Sequence, residues 1–106
     1  MSEWITLVRV EELTPGERLS IEIDGTNIVV FNLDGQYYAI EDTCTHDGGQ
    51  IIEGIVVDDQ IVCPRHGAHF CLRTGAALSA PAYEPINTFP IRIENGRILV
   101  RDNRWD

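Results

Sequence analysis

Four residues near the middle of this 106-residue chain have the types and the spacing to hold a metal. Cys44 and His46 form a C-x-H pair, and Cys63 and His66 form a C-x-x-H pair. The sixteen residues from Asp47 to Val62 separate them. Both pairs sit in loop-like sequence, because Asp47, Gly48 and Gly49 follow the first and Pro64 and Gly67 punctuate the second. Two thiolates and two imidazoles are enough ligands for one closed site. Sulfur on one side and imidazole on the other suit either zinc or an iron–sulfur cluster.

A structural zinc site is one reading, and it would make the chain a zinc-stabilised interaction module. Zinc modules usually pair like ligands, Cys with Cys and His with His. Here each pair mixes the two, and only Thr45 separates Cys44 from His46. The mixed pairs, with Thr45-His46-Asp47-Gly48-Gly49 after the first Cys and Pro64-Arg65-His66-Gly67-Ala68 after the second, resemble the Rieske [2Fe–2S] proteins. The resemblance implies one [2Fe–2S] cluster per chain. It implies that Cys44 and Cys63 hold one iron and that His46 and His66 hold the other. Neutral imidazoles in place of two thiolates leave such a cluster less negative, so it accepts an electron more readily than an all-Cys cluster.

Departures within the family narrow the expectation. Respiratory-complex Rieske subunits carry a disulfide between their two ligand loops, at positions where this chain has Gly49 and Arg65. They also place Ser and Tyr hydroxyls near the cluster, where this chain has Ala68 and Phe70. All four departures resemble the ferredoxins of bacterial aromatic-ring-hydroxylating dioxygenases, at the low-potential end. The resemblance therefore implies a one-electron carrier, not an enzyme alone, between a flavin-dependent reductase and a terminal oxygenase. A general Rieske ferredoxin serving another reductase or an iron–sulfur assembly pathway is the alternative within the same chemistry. His69 is expected to be a strand residue pointing away from the cluster, and Cys71 a buried thiol. Pro81 and Pro85 resemble the loop that covers the cluster in this family.

The elements that must position these loops read as β throughout. Trp4 to Val10 is β-rich and ends at a turn over Glu11 to Gly16. Arg18–Ile23, Asn27–Asn32 and Gln36–Ile40 form a meander joined by Asp24-Gly25 and Asp34-Gly35, which favour tight hairpins. The third of these strands delivers the chain to Cys44. Gly54–Val57 and Gln60–Val62, turned at Asp58-Asp59, carry the second pair away from the first and back beside it. Ala68 to Leu72 is a further short strand. Thr88–Ile93 and Arg97–Arg101 close the chain as a hairpin around Asn95-Gly96. No stretch shows sustained helical periodicity. The expected architecture is all-β: an antiparallel β-sandwich or small barrel, with a cluster-binding subdomain over about residues 42–79 inserted into a single Rieske domain, 1–106.

Composition bounds the partners. Seventeen acidic residues against eight basic ones give a net charge of −9, which disfavours nucleic acid and anionic lipid and suits a redox partner with a basic patch. No apolar run approaches a membrane span, and the first residues lack a secretory pattern. Three cysteines, two of them assigned to the site, leave no disulfide framework. A cytoplasmic monomer is expected.

Overall fold

The computed structural model describes residues 3–45 and 48–104, so His46 and Asp47 lie outside the described residues. Ten strands run in chain order: β1 Trp4–Arg9, β2 Arg18–Ile23, β3 Thr26–Leu33, β4 Gln36–Glu41, β5 Ile55–Val57, β6 Gln60–Val62, β7 His69–Cys71, β8 Thr88–Phe89, β9 Ile91–Glu94 and β10 Arg97–Arg101. They form three antiparallel sheets, ordered β1-β10-β9, β2-β3-β4-β8 and β5-β6-β7. The expected meander is the sheet β2-β3-β4, and its turns behave as their sequences require. Asp24 and Gly25, Asp34 and Gly35, and Asn95 and Gly96 all have positive φ, the backbone that lets a two-residue turn follow the twist of its strands.

The middle sheet carries the packing. Residues Ile28 to Phe31 of β3 are all at most 3% exposed, which makes this strand buried on both faces. Side chains alternate along a strand, so Ile28 and Val30 join Ala39, Ile98 and Val100 in one core, against the sheet β1-β10-β9. Val29 and Phe31 join Ile40, Ile61 and Phe70 in a second core, under the sheet β5-β6-β7. Cys44 and Cys63 belong to that second core. The two candidate cysteine ligands are thus built on one face of a sheet whose other face is already packed.

Two features depart from the sequence reading. Thr88–Ile93 is not one strand, because the chain breaks at Pro90, which has no N–H to give to a ladder. β8 pairs with β4, and β9, after Pro90, pairs with β10 in the other sheet. The turn after β1 is also shaped further than expected: Val10–Glu12 is a single 3-10 turn, and Glu12 Oε1 accepts a hydrogen bond from the Arg9 N–H at 3.0 Å.

The C-terminal end of the described chain is fastened by charge. Asp102, 2% exposed, accepts hydrogen bonds from Arg104 Nε and Nη2 at 2.9 and 2.7 Å. Arg104 Nη1 in turn donates to Thr26 Oγ1 at 2.9 Å, and its guanidinium lies 5.5 Å from the centre of the Phe89 ring. Those bonds from Arg104 hold the Asp102 carboxyl below its ordinary pKa, against the opposing effect of burial. A carboxyl depressed in the folded state stabilises the fold above its unfolded pKa, about 3.9, and that contribution is lost as pH falls through the folded value. Asp102→Asn should therefore lower the melting temperature at neutral pH, and its difference from the unsubstituted protein should shrink below about pH 4. Thermal melts across that range check this.

Candidate metal centre

Three turns of one design line up along the chain. The Cys44 N–H donates to Gly49 O at 2.7 Å, and the Gly48 N–H donates back to Cys44 O at 2.7 Å. In the second turn the Cys63 N–H donates to Ala68 O at 2.7 Å, and the Gly67 N–H to Cys63 O at 3.0 Å. A third repeats the pattern: the Cys71 N–H donates to Ala76 O at 2.9 Å, and the Gly75 N–H to Cys71 O at 2.7 Å. The closing glycines have φ of +76°, +74° and +79°, a region that side chains with a Cβ rarely adopt. Sequence reasoning found the first two turns and read the third as a plain Thr74-Gly75 turn. The signal was present, because each Cys stands four residues before its Gly.

The three turns differ in what they present. Cys44 and Cys63 are 0% and 1% exposed, whereas Cys71 is half-buried. His66, in the second turn, is exposed, and so is Arg65 beside it. His46, two residues after Cys44 in the sequence, lies outside the described residues. The third turn has no His. Burial opposes ionisation of Cys71, but the Thr74 hydroxyl and the N–H groups of Thr74 and Arg73 outweigh it and hold the thiol below its ordinary pKa. His69 sits in β7 with its Nδ1 2.9 Å from Gln60 Oε1, so its ring is engaged within the sheet β5-β6-β7. Ala68 and Phe70 are both fully buried.

The connection between the first two turns is held by a pair of opposite charges that sequence reasoning did not single out. Asp42, 7% exposed, accepts hydrogen bonds at Oδ1 from the N–H groups of Ile51 and Ile52, at 2.7 and 3.0 Å. Its Oδ2 is buried and has no hydrogen-bond partner among the described residues. Arg18, reaching from β2, donates through Nη1 to the carbonyls of Ile52 and Gly54 at 2.5 and 2.7 Å, with its guanidinium 5.0 Å from the centre of the Phe31 ring. One charge takes the N–H groups of Ile51 and Ile52 and the other takes the carbonyls of Ile52 and Gly54, while the Gly54 N–H donates to Ile51 O at 2.8 Å. Gly54 is pressed against β6, and a Cβ there would collide with the Val62 carbonyl oxygen. No local sequence signal reveals this clamp, because Arg18 lies 34 and 36 residues from its acceptors.

The loop after β7 closes over the first turn. It enters through a cis Ala80–Pro81 bond. Thr45 Oγ1 donates to Glu84 O at 2.7 Å, and the Ile86 N–H donates to Gly75 O at 2.8 Å. Pro81 and Pro85 thus lie in a segment bonded to both the first and the third turn.

Comparison with known proteins decides which chemistry this geometry serves. Residues 3–90 match the model of the Rieske [2Fe-2S] domain. The chain belongs to the Rieske [2Fe–2S] family. Its cofactor is one [2Fe–2S] cluster per chain. It is 41% identical, over 90% of this chain and 88% of the relative, to the biphenyl dioxygenase ferredoxin subunit of Pseudomonas sp. strain KKS102. It is 42% identical, over 86% of each chain, to the 3-phenylpropionate/cinnamic acid dioxygenase ferredoxin subunit of Escherichia coli strain K12. Its fold is similar to a chain in the complex of reduced oxygenase and oxidised ferredoxin in carbazole 1,9a-dioxygenase, with a TM-score of 0.86 and 32% identity over 92% of this chain and 91% of that one.

The residues present suit that cofactor. Two buried sulfurs and an exposed imidazole are the soft and borderline donors that a mixed-ligand iron–sulfur centre takes. Among the described residues no three His, Cys, Asp or Glu side chains gather around a single point. A two-iron centre divides its ligands between its metals, and the sequence places its fourth candidate, His46, outside those residues.

The clamp has a direct test. Each hydrogen bond from a charged donor contributes roughly 1.5–3 kcal/mol, and Arg18 makes two to the segment joining the ligand loops. Arg18→Met should lower the temperature at which the protein loses its visible iron–sulfur absorbance, and Arg18→Lys should recover part of the loss. Melting followed at visible wavelengths checks both.

Proposed function

We propose that this chain is a low-potential Rieske ferredoxin that takes single electrons from a flavin-dependent reductase and delivers them to a terminal oxygenase. It is a carrier and not itself a catalyst. The observation that carries the reading is the unequal burial of the candidate ligands. Cys44 and Cys63 lie inside the second core, while His66 lies at the surface of its turn. We assign Cys44 and Cys63 to one iron and His46 and His66 to the other. In this assignment Cys44 and Cys63 would hold their iron from inside the core, and His66 would help hold the other from the surface of its turn. When bound, the cluster accepts one electron and gives it up again.

The protein's own residues set the terms of that exchange. The Gly-closed turns hold the two cysteines, and the Asp42–Arg18 clamp holds the turns relative to each other. Ala68 and Phe70 bring no hydroxyl to the buried side, which leaves the extra negative charge of the reduced state with less support. This favours a potential near the bottom of the Rieske range, about −150 to +300 mV. The names of the relatives support a dioxygenase system, since both are ferredoxin subunits of aromatic-acid or biphenyl dioxygenases. The solved complex that the fold resembles joins a ferredoxin to its oxygenase.

The remaining parts of the reading rest on simpler grounds. We take residues 42–79 as the cluster-binding subdomain of a single Rieske domain, on the support of the separate sheet β5-β6-β7. A net charge of −9 supports a monomer, since copies of the chain repel each other. No helix among the described residues is long and apolar enough to cross a membrane. Cys63 and Cys71 form no disulfide, which supports a cytoplasmic location.

Metal analysis, electron paramagnetic resonance and voltammetry test the reading together. The purified protein should hold two irons and two sulfides, give a one-electron reduced-state signal, and show a potential in the lower part of the range. Replacing any of Cys44, His46, Cys63 or His66 with Ala should abolish stable cluster binding, and Cys71→Ser should leave it intact. Stoichiometric zinc without a reduced-state signal would leave the zinc-stabilised module. Loss of the cluster in Cys71→Ser, with retention in one of the four Ala variants, would overturn the ligand assignment.

A further inference from the structure

Six large apolar side chains are well exposed among the described residues, and they fall in three places. Ile5 and Ile93 lie on the sheet β1-β10-β9, away from the ligand turns. Ile55 and Val57 lie on β5, the edge strand of the smallest sheet. Leu78 and Tyr83 flank Pro81, in the loop bonded to the first ligand turn. Tyr83 stands apart from the rest. It is 83% exposed, more than any of the others, and it is an aromatic ring with a polar end.

The backbone that carries Tyr83 is fixed on both sides. Its neighbour Ala82 and the nearby Ile86 are each 3% exposed and belong to the second core. The Ala82 N–H donates to Ser79 O at 3.3 Å, the Ile86 N–H to Gly75 O at 2.8 Å, and the Glu84 carbonyl accepts from Thr45 Oγ1 at 2.7 Å. The ring is therefore held out from an ordered loop, one residue from a hydrogen bond to Thr45, in the turn that begins at Cys44. The Tyr83 hydroxyl has no hydrogen-bond partner among the described residues. Exposing such a ring gains nothing for folding. Tyr on a pre-ordered loop is well suited to binding, because it offers a large contact area at little cost in ordering.

The exposed charges of this loop and of the second ligand turn say what kind of contact this is. Glu84 next to the ring and Arg65 on the second ligand turn are both exposed, and they have opposite signs. The tip thus does not share the one-sided charge of a chain whose net charge is −9. Long-range steering belongs to the rest of the surface, and close contact at the tip is left to apolar and hydrogen-bonding groups.

We propose that Tyr83 anchors the terminal oxygenase: its ring enters an apolar slot on the oxygenase, lined by a hydrogen-bonding group for the phenol, from the loop bonded to the first ligand turn. The proposal rests on the functional reading above and adds the residue that confers affinity for the acceptor. An anchor of this kind changes how much carrier is needed for half-maximal transfer and leaves the intrinsic redox properties alone. Its contribution survives high salt, because it is not a charge contact.

The test uses dithionite-reduced, cluster-loaded protein. The acceptors are the oxygenase components of biphenyl dioxygenase from Pseudomonas sp. strain KKS102 and of 3-phenylpropionate/cinnamic acid dioxygenase from Escherichia coli strain K12. Stopped-flow rates are measured against carrier concentration at low and high salt. Tyr83→Ala should raise the half-saturating concentration by about tenfold, the effect of truncating a well-seated interface residue, at both salt concentrations. Its limiting rate, reduction potential and paramagnetic spectrum should stay unchanged. Tyr83→Phe should lie between the two. Ile93→Ala, which removes exposed apolar surface far from the tip, should match the unsubstituted protein. An unchanged half-saturating concentration for Tyr83→Ala overturns the anchor and leaves the carrier role standing. A shifted potential or spectrum in Tyr83→Ala also overturns it, since the ring would then be acting on the cluster site. Cluster-loaded, unsubstituted protein that reduces neither oxygenase overturns the acceptor assignment itself.

Discussion

A cysteine can be buried at the end of a short turn only if the turn satisfies its own backbone. In each of the three Cys-x3-Gly turns the cysteine N–H and C=O are both used, one by the residue five positions on and the other by the glycine N–H. Closing this ring of hydrogen bonds puts the glycine in the left-handed region, where a side chain costs strain. The sulfur is then presented from a backbone with no unmet hydrogen-bonding groups at the cysteine. This matters because Cys44 and Cys63 sit in an apolar core with little water to substitute for a missing partner. The third turn follows the same rule for a different end. Its glycine packs under the covering loop, where a Cβ would collide with the Ile86 carbonyl oxygen.

The rest of the structure is arranged to keep two such turns in place. β3 is buried on both faces, so the sheet below the ligand turns is fixed by packing against the sheet β1-β10-β9. Arg18 extends that fixed layer upward by bonding the carbonyls of Ile52 and Gly54. Asp42 does the same for the N–H groups of Ile51 and Ile52. Asp42 is buried and Arg18 half-buried, and each is paired with backbone dipoles instead of with the other. A carrier benefits from this rigidity, because little reorganisation of the protein accompanies each gain or loss of an electron. His66, Arg65, Tyr83 and Glu84 stay exposed, and in the proposed reading they face the oxygenase.

How much of this was legible depended on how local the cause was. The Asp-Gly and Asn-Gly turns are set by the residues within them, and all three appear where the sequence puts them. The mixed Cys/His pairs are equally local in sequence, and the structure shows Cys44 and Cys63 opening two turns of one design, with His66 in the second. The Pro90 break was available in the sequence but hidden by the apolar alternation of Thr88–Ile93, which reads equally well as one strand or two. Asp42 and Arg18 were not legible, since their roles depend on partners brought near only by the folded sheets. Cys71 illustrates the middle case. Its Cys-x3-Gly spacing matches the ligand turns, yet only the structure shows that the backbone is the same while the histidine is missing.

The ligand set is the centre of this account, and the nitrogen ligands are its most specific part. Electron–nuclear double resonance of the reduced protein, prepared with 15N-labelled histidine, measures them directly. The account predicts two inequivalent 15N couplings from ring nitrogens bound to the reduced iron, both lost when His46 or His66 is replaced along with the cluster. A signal with no directly bound nitrogen, or with only one, would contradict it.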